Sequence, residues 1–571
     1  MTFPDASALE TLDSVPRLLD DAVRRRGAST AFRIGGAGTS ARVGGESRSV
    51  SYVELRRYVH AMVRLLDDML AGDTSSGDTN LGGASPEAAQ PQSVGIVGAT
   101  SYPWVLSFLG LACSGRVAVP VDGQLAPATV AAMLDRAGAR VVLVDDPTLA
   151  VSLAEVGIKT LDLGQVAAAA EASADGADRD LADLGRVSPD GLALKIFTSG
   201  TAGTAKLVHL SHDNIVSNAA GCADLVRSIG DDLVTIAVLP LHHLYGLNTS
   251  VMSALLVGAT VCFGDGPHRF ARDITAFSPN ILVVVPMVVV ALHRAIWREA
   301  ERTGRAASLR RAIKVSNLLR KLGIDVRRRL FRSVHDSFGG RLRTIVSGGA
   351  YLSPEHITGF DDLGLEVLVG YGITECSPLV AANVPGAKRL GTVGKAATGV
   401  EVRIIDDEVC VRGRSVMVGY DRLEDTQAAF VDGWFRTGDK GSLDARGWLT
   451  ITGRLKSLII LSDGNNVDPE EVEQVLQDHP FVDSLLVRGH HEPDREGIMA
   501  LVYPSSEAEG LGPDEISARI DALVDEYNRT VPVFRRVFWT TVVDEPFERT
   551  SLGKVKRYLY AEGRAEGLSV S

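Results

Sequence analysis

Between residues 93 and 144 short apolar runs alternate with amphipathic stretches, and this alternation limits the possible folds more than any other feature of the chain. Residues 93–97, 117–121 and 140–144 read as strands, and 102–114 and 126–137 as helices. Repeated strand–helix–strand units predict a parallel sheet covered by helices on both faces. A second series follows, with helices over 214–228 and 249–256 and short buried strands at 233–238, 261–263 and 281–285. The expected fold class is therefore α/β. A chain of 571 residues exceeds what one hydrophobic core usually serves, so a second domain is expected too.

Upstream, residues 8–70 read as mostly helical with a polar, hairpin-like interruption around 35–51. The stretch 72–92 collapses to small and polar residues and reads as a disordered surface insertion. A second flexible connection is expected at 167–183, which is rich in Ala and Asp. The net charge of -12 argues against a nucleic-acid partner. Cys113, Cys222, Cys262, Cys376 and Cys410 lie far apart with no CxxC spacing, which suits reduced thiols in a cytoplasm. The first ten residues lack the features of a secretory signal, and the longest apolar run, 281–292, is about half a membrane span and contains Pro286. One region opposes the acidic whole: residues 298–343 hold fourteen Arg or Lys against four Asp or Glu. A solvated helical face accounts for it, and so does contact with an anionic membrane surface or a polyanionic substrate.

Chemistry concentrates first at 196–212, I-F-T-S-G-T-A-G-T-A-K-L-V-H-L-S-H. A strand feeds a run of small and hydroxylated residues, then Ala205, a lysine and an aliphatic pair. Gly200 and Gly203 let backbone N–H groups turn toward a polyanion, Thr198, Ser199, Thr201 and Thr204 add hydroxyls, and Lys206 adds a point charge. A phosphate-binding loop and a plain surface turn both fit this pattern. A P-loop does not fit, because Ala205 precedes the lysine and Leu207 follows it.

Two further strand ends carry small or reactive groups. Residues 342–352 run into Ser347, Gly348, Gly349 and Ala350, where a flat ligand can approach bare backbone. Residues 367–369 run into Gly370, Tyr371, Gly372, Ile373, Thr374 and Glu375, placing a ring, a hydroxyl and a carboxylate where open α/β sheets bind ligands.

With these motifs in order, and with L-P-L-H-H-L-Y-G at 239–246, W-F-R-T-G-D at 434–439, G-R-L-K at 453–456 and S-L-G-K-V-K-R at 551–557, the chain resembles the adenylate-forming superfamily. That superfamily comprises acyl-CoA synthetases, nonribosomal-peptide adenylation domains and luciferases, and the resemblance runs from about residue 20 to the end. It implies a large N-terminal domain of mostly parallel sheets flanked by helices over 1–454, and a small α+β domain over 455–571 that rotates about Lys456. It also implies ATP-dependent activation of a carboxylic acid to an acyl-adenylate, then transfer to a thiol. Thr198, Ser199, Gly200, Thr201, Gly203, Lys206, Gly348, Gly349, Ala350, Gly370, Tyr371, Gly372, Asp439 and Arg454 would bind the nucleotide, with Asp439 on the ribose hydroxyls. Thr374 and Glu375 would serve the α-phosphate and Mg²⁺. Lys554 would neutralise charge between the attacking carboxylate and the α-phosphorus. Gly464 would give clearance along the thiol tunnel.

Within the superfamily the 239–246 segment, the basic region and S-G-G-A-x-L resemble long-chain fatty acyl-CoA synthetases most. A medium- or long-chain fatty acid and CoA are the expected substrates. No aspartate follows the P-L motif to grip an amine, and the short 375–391 interval lacks the insertion of ligases that stop before CoA. His243 is counted among the catalytic residues as a gate to the acyl tunnel, and 281–290 is expected along its wall, although core burial explains that segment equally well. Two alternatives stay open: a ligase loading an unusual or aryl acid onto a carrier-protein thiol, and a module that binds nucleotide or acyl chain without turnover. Ala202, Ala205, Leu207 and Tyr351 depart from the family's usual residues, and a phosphate loop without its proline is expected to grip less firmly.

Overall fold

The computed structural model describes residues 11–35, 48–71, 91–176, 179–198, 205–226, 232–455, 459–461, 466–477, 479–492, 495–550 and 553–560. All but the last two residues of the 72–92 stretch lie outside the described residues, as do Ser199, Gly200, Thr201, Gly203, Lys456 and Gly464.

A seven-stranded sheet forms the centre. Ser93–Val97 lies in its middle, parallel to Val117–Val121 on one side and Ala139–Val144 on the other. These strands are buried almost throughout, as near-continuous apolar runs in a sheet covered on both faces must be. The helix Tyr102–Cys113, apolar all round, is buried along its whole length, as such a sequence requires. Next to Val117–Val121 lies Leu192–Phe197, which pairs antiparallel with Leu207–Ser211 and sets Phe197 opposite Leu207. The two strands that flank the segment expected to hold phosphate thus pair with each other near one edge of the sheet.

A second sheet carries Ile281–Val284, Thr344–Ser347 and Glu366–Gly372 in parallel and turns antiparallel at Leu379–Ala382. Its strands alternate faces. Ile281 and Val283 join the core shared with the first sheet, whereas Leu282 and Val284 join a separate cluster with Val289 and Phe360. Near the C-terminus, Val482–Glu492 and Arg495–Pro504 pair antiparallel, and Val537–Val542 adds in parallel. With the helices Pro469–Gln477 and Pro513–Thr530 they form a smaller α+β part around its own apolar cluster.

Three sequence expectations need correction. The described residues of 167–183 are ordered by caps and ion pairs: Asp162 caps the helix Leu163–Ala172 by accepting from the Gln165 N–H at 2.7 Å, and Ala167 and Ala170 are buried. Further on, Asp180 pairs with Arg56 at 2.6 Å, and the Leu181 and Ala182 N–H groups each donate to the buried Asp20 at 2.9 Å. Alanine here serves helix propensity and close packing, and the aspartates serve as caps and ion pairs rather than as solvated loop residues. In the N-terminal stretch, Thr30–Ile34 and Arg48–Ser51 are paired strands, and the first of them joins Thr260–Phe263 in parallel. Finally, the helix expected at 249–256 begins as a π-helix, Tyr245–Met252, a geometry that recurs at functional sites. No helix among the described residues is long and apolar enough to cross a membrane.

Candidate active site

The hairpin of Trp434–Leu443 and Leu449–Arg454 has a register that sets Asp439 directly opposite Arg454, so fifteen residues of sequence separation become a side-by-side pair. Arg454 Nε donates to Asp439 Oδ1 at 2.9 Å, and the Tyr371 hydroxyl donates to Oδ2 at 2.5 Å. The backbone N–H of Asp439 donates to Thr437 Oγ1 at 3.1 Å. Asp439 is 3% exposed. Burial pushes its carboxyl above the usual carboxylate range, while Arg454, the Tyr371 hydroxyl and Lys554 pull it back. Burial pushes the Tyr371 hydroxyl far up, which leaves it a donor.

Tyr371 lies near the end of Glu366–Gly372, opposite Ala381. Immediately beyond, Thr374–Cys376 make one tight 3₁₀ turn. Two buried amides hold that turn from below. Asn218 Nδ2 donates to the carbonyls of Cys376 at 3.0 Å and Leu379 at 2.8 Å, and Asn248 Nδ2 donates to that of Ser377 at 2.5 Å. Glu375 therefore projects from a fixed backbone. Its Oε1 accepts from the Tyr420 hydroxyl at 2.8 Å.

At the phosphate hairpin, the Thr198 N–H donates to the Lys206 carbonyl at 2.9 Å, and the Lys206 N–H donates to Thr198 Oγ1 at 3.1 Å. Lys206 Nζ pairs with Asp425 Oδ1 at 2.9 Å and stands 4.3 Å above the Tyr420 ring. Arg136 braces the base of the hairpin from outside. Its guanidinium donates to the Ala205 carbonyl at 2.7 Å and forms two bonds to the Asp421 carboxylate at 2.8 and 3.0 Å.

Lys554 comes from the C-terminal part. Gly553, at φ +80°, brings that loop against the N-terminal part so closely that a Cβ there would stand 3.1 Å from Met287 Cε, at the start of the helix Pro286–Arg302. The protein crowded around this cleft pushes the Lys554 ammonium below its ordinary value, and Arg454 adds to the shift. Glu470 and Asp439 oppose it, and the side chain itself still meets solvent. His243 feels the same cation. Burial, the ring of His242 at 4.5 Å and Lys554 together push its pKa to about 3, so it is neutral at physiological pH.

Gly348 and Gly349 follow the strand Thr344–Ser347. Gly349 holds φ +90°, and a Cβ on Gly348 would come within 3.2 Å of the Tyr245 ring. Tyr245 in turn lies near two residues, Cys222 and Val346, that wall a narrow apolar cavity. Its hydroxyl donates to the Val284 carbonyl at 3.1 Å, and the Cys222 thiol of the cavity wall adds to the burial that raises its pKa. Leu233, Thr249, Ala254, Val283 and Val346 also line the cavity, no charged side chain does, and it has room for about one water molecule.

The described part of the site thus joins Thr198, Lys206, Glu375, Tyr371, Asp439, Arg454, Lys554 and His243 around one cleft. Sequence reasoning missed Arg136, Asp421, Tyr420 and Asp425. Their partners lie far away in the chain, 285 residues in the case of Arg136 and Asp421, and no local motif marks them.

A nucleotide cleft floored by strand ends and closed by a lysine from a separate C-terminal part defines an AMP-forming acid–thiol ligase. The chain belongs to the AMP-binding enzyme family: residues 86–421 match the model described as AMP-binding enzyme, and 456–563 match that described as AMP-binding enzyme C-terminal domain. It is similar to long-chain-fatty-acid–CoA ligase FadD15 of Mycobacterium bovis, 30% identical over 82% of this chain and 86% of the relative. It is also similar to long-chain-fatty-acid–CoA ligase 6 of Mus musculus, 28% identical over 73% and 66%. Among solved structures, the ATP-bound RpMatB-BxBclM chimera B1 matches with TM-score 0.72 at 25% identity, over 96% of this chain and 98% of that one. The anthranilate CoA ligase AuaEII, in complex with anthranoyl-AMP, shows the same fold with TM-score 0.73 at 20% identity, over 97% and 98%. The expected superfamily, the α/β fold with a smaller C-terminal domain, and the acid-activating chemistry are borne out.

Proposed function

We propose that the protein converts a medium- or long-chain fatty acid into its CoA thioester. The carrying observation is the charge-free apolar cavity near Tyr245, in a chain whose relatives are named long-chain-fatty-acid–CoA ligases. An acid with a second charge would find no partner in that wall. The cavity is narrow, so a long chain enters by turning Tyr245 aside, with the neutral His243 beside the entrance.

In the first half-reaction a carboxylate oxygen of the acid attacks the α-phosphorus of ATP. The bond from that phosphorus to the bridging oxygen breaks, and pyrophosphate leaves with the electron pair. Asp439 accepts from the ribose hydroxyls and is kept ionised by Arg454, while Gly348, Gly349, Ala350, Gly370, Tyr371 and Gly372 flank the adenine. Thr198, Ser199, Gly200, Thr201, Gly203 and Lys206 hold the leaving phosphates. Thr374 donates to the α-phosphate, and the Lys554 ammonium offsets charge that builds between carboxylate and phosphorus.

Mg²⁺ fits this site in one way. No group of three His, Cys, Asp or Glu among the described residues could hold a metal, so Glu375 would be its single carboxylate, with phosphate oxygens and water as the other ligands, the usual pattern for this ion. When bound it supplies charge neutralisation on the phosphates. In the second half-reaction residues 455–571 turn about Lys456, withdraw Lys554 and bring the Gly464 segment to the cleft. The CoA sulfur then attacks the carbonyl carbon and AMP departs. Five buried cysteines, none of them in a disulfide, support a reducing, cytoplasmic setting for this chemistry.

Saturated acids of rising length, supplied with ATP and CoA, test the reading by mass detection of the thioester. Turnover should peak at medium or long chains. Turnover only with aryl acids, or only with a holo carrier protein as acceptor, contradicts it.

The basic region supports a second role, docking on an anionic lipid surface. Along Ala306–Lys321 only Ser316 is buried, and Leu318 and Leu322 are 62% and 70% exposed beside Arg310, Arg311, Lys314, Arg320 and Lys321. Apolar and cationic groups on one helix complement an anionic bilayer, whereas the chain's net charge of -12 repels it elsewhere. Flotation with vesicles containing anionic phospholipid should retain the protein, and Leu318→Asp with Leu322→Asp should release it. Equal retention by purely zwitterionic vesicles, or none by either, overturns this role.

A further inference from the structure

Lys206 has a partner besides phosphate. The backbone from Met417 to Asp421 runs between the hairpin and the Glu375 turn and is bonded to both. The Met417 N–H donates to the Glu375 carbonyl at 2.8 Å, the Val418 N–H to that of His209 at 3.0 Å, and the Asp421 N–H to that of Leu207 at 3.0 Å. This frame carries Tyr420, whose ring lies under the Lys206 ammonium and whose hydroxyl reaches Glu375. It leads directly into the helix Leu423–Ala429, which presents Asp425 to Lys206. The Tyr420 N–H donates to Thr426 Oγ1 at 2.8 Å, so strand and helix are tied together.

We propose that Asp425 is the resting counter-ion of Lys206, displaced when the triphosphate of ATP binds and driving pyrophosphate out once the α-phosphorus has been transferred. The inference rests on the reading of Lys206 as a phosphate ligand. Both side chains of the pair are about one-third exposed, at 34% and 33%, and a pair so accessible to water holds only weakly. A polyanion therefore displaces it. Asp425 then stands within a few ångströms of the bound phosphates and repels them. ATP withstands that repulsion, because Asp439 and Arg454 anchor its other end. Pyrophosphate has no such anchor. The same carboxylate thus lowers affinity for both ligands and decides residence only for the product.

Titration of inorganic pyrophosphate into the full-length protein, alongside product-inhibition kinetics, tests the proposal. Asp425→Asn should tighten pyrophosphate binding about fivefold, the effect of losing one partly exposed charge contact. Asp425→Glu, which keeps the charge, should stay near the parent. Lys206→Ala should weaken pyrophosphate binding, and Asp425→Asn added to it should change nothing further. An unchanged constant in Asp425→Asn, with Lys206→Ala still weakened, overturns the inference alone. A fivefold effect that persists without Lys206 also overturns it, because Asp425 would then act without its partner. If Lys206→Ala binds pyrophosphate as the parent does, the phosphate reading of the loop fails and the inference with it.

Discussion

The two ends of the nucleotide cleft are built on opposite terms. At Asp439 a carboxylate that is 3% exposed has both oxygens engaged by Arg454 and Tyr371, and its backbone is fixed by strand register. At Lys206 the side chain is one-third open to solvent and its ammonium rests on Asp425 and an aromatic face, both of them weak partners. The difference follows what each end has to do. In the proposed reaction adenosine stays bound through both half-reactions, so a site for it at Asp439 can be rigid and fully paired. Pyrophosphate would have to leave after the first, which suits a site at Lys206 held in pairs that are easily exchanged. Lys554, carried by the C-terminal part, feels the charges of Arg454 and Asp439 at the first of these ends.

Removing Lys554, the proposed cation of the adenylation step, should have the largest effect. Lys554→Ala should slow adenylation on the order of a thousandfold, as loss of a transition-state charge contact does, while thioester formation from supplied acyl-adenylate continues. Equal loss of both steps would refute that division. Because burial and Arg454 depress the Lys554 pKa, adenylation should decline on the alkaline side before an ordinary lysine would deprotonate, and Lys554→Arg should remove that decline from the pH–rate profile.

The rigid end comes next. Asp439→Ala removes the carboxylate proposed to accept from the ribose hydroxyls, a loss of charged hydrogen bonds of about 3 kcal/mol, and kcat/KM for ATP should fall on the order of a hundredfold. A change of only a few-fold would mean that this end is as provisional as the other. Arg136→Ala probes the outer brace of the phosphate hairpin. The loss of its charged hydrogen bonds to Ala205 and Asp421, about 1.5 kcal/mol, should raise KM for ATP roughly tenfold with a smaller effect on kcat.

The last effect is on stability and reaches beyond the cleft. Burial depresses the pKa values of His212 and His293 to about 4, and that of His243 to about 3. The unfolded chain takes up these protons near pH 6.5 and the folded one does not, so stability is fully present above that value and is lost as pH falls below it. His212 alone accounts for about 3 kcal/mol of that loss at low pH. Melting temperature should therefore drop below about pH 6.5, and His212→Gln should flatten the slope; an unchanged slope would contradict this assignment.

The parts of the fold legible in the sequence are those where local pattern and burial agree. The strands 93–97 and 117–121 are apolar apart from Ser93 and buried throughout. Asp439 and Arg454 were legible through the W-F-R-T-G-D and G-R-L-K motifs that carry the family resemblance, and the strand register that makes them a pair was not. The stretch 167–183 was misread because Ala and Asp serve packed, capped helices as readily as loops, and only the partners Asp20 and Arg56 decide between them. Arg136, Tyr420 and Asp425 were illegible for a different reason: their roles come entirely from contacts across the fold. Ala205 shows the consequence. The missing proline suggested a loosened loop, yet the carbonyl of that residue accepts from a guanidinium 69 residues away.

The most direct test of the central claim is exchange of labelled pyrophosphate into ATP with a long-chain fatty acid present and no thiol. Exchange that requires the acid and disappears in Lys554→Ala is the predicted result. No exchange with any acid, in a protein that still binds ATP, would contradict it.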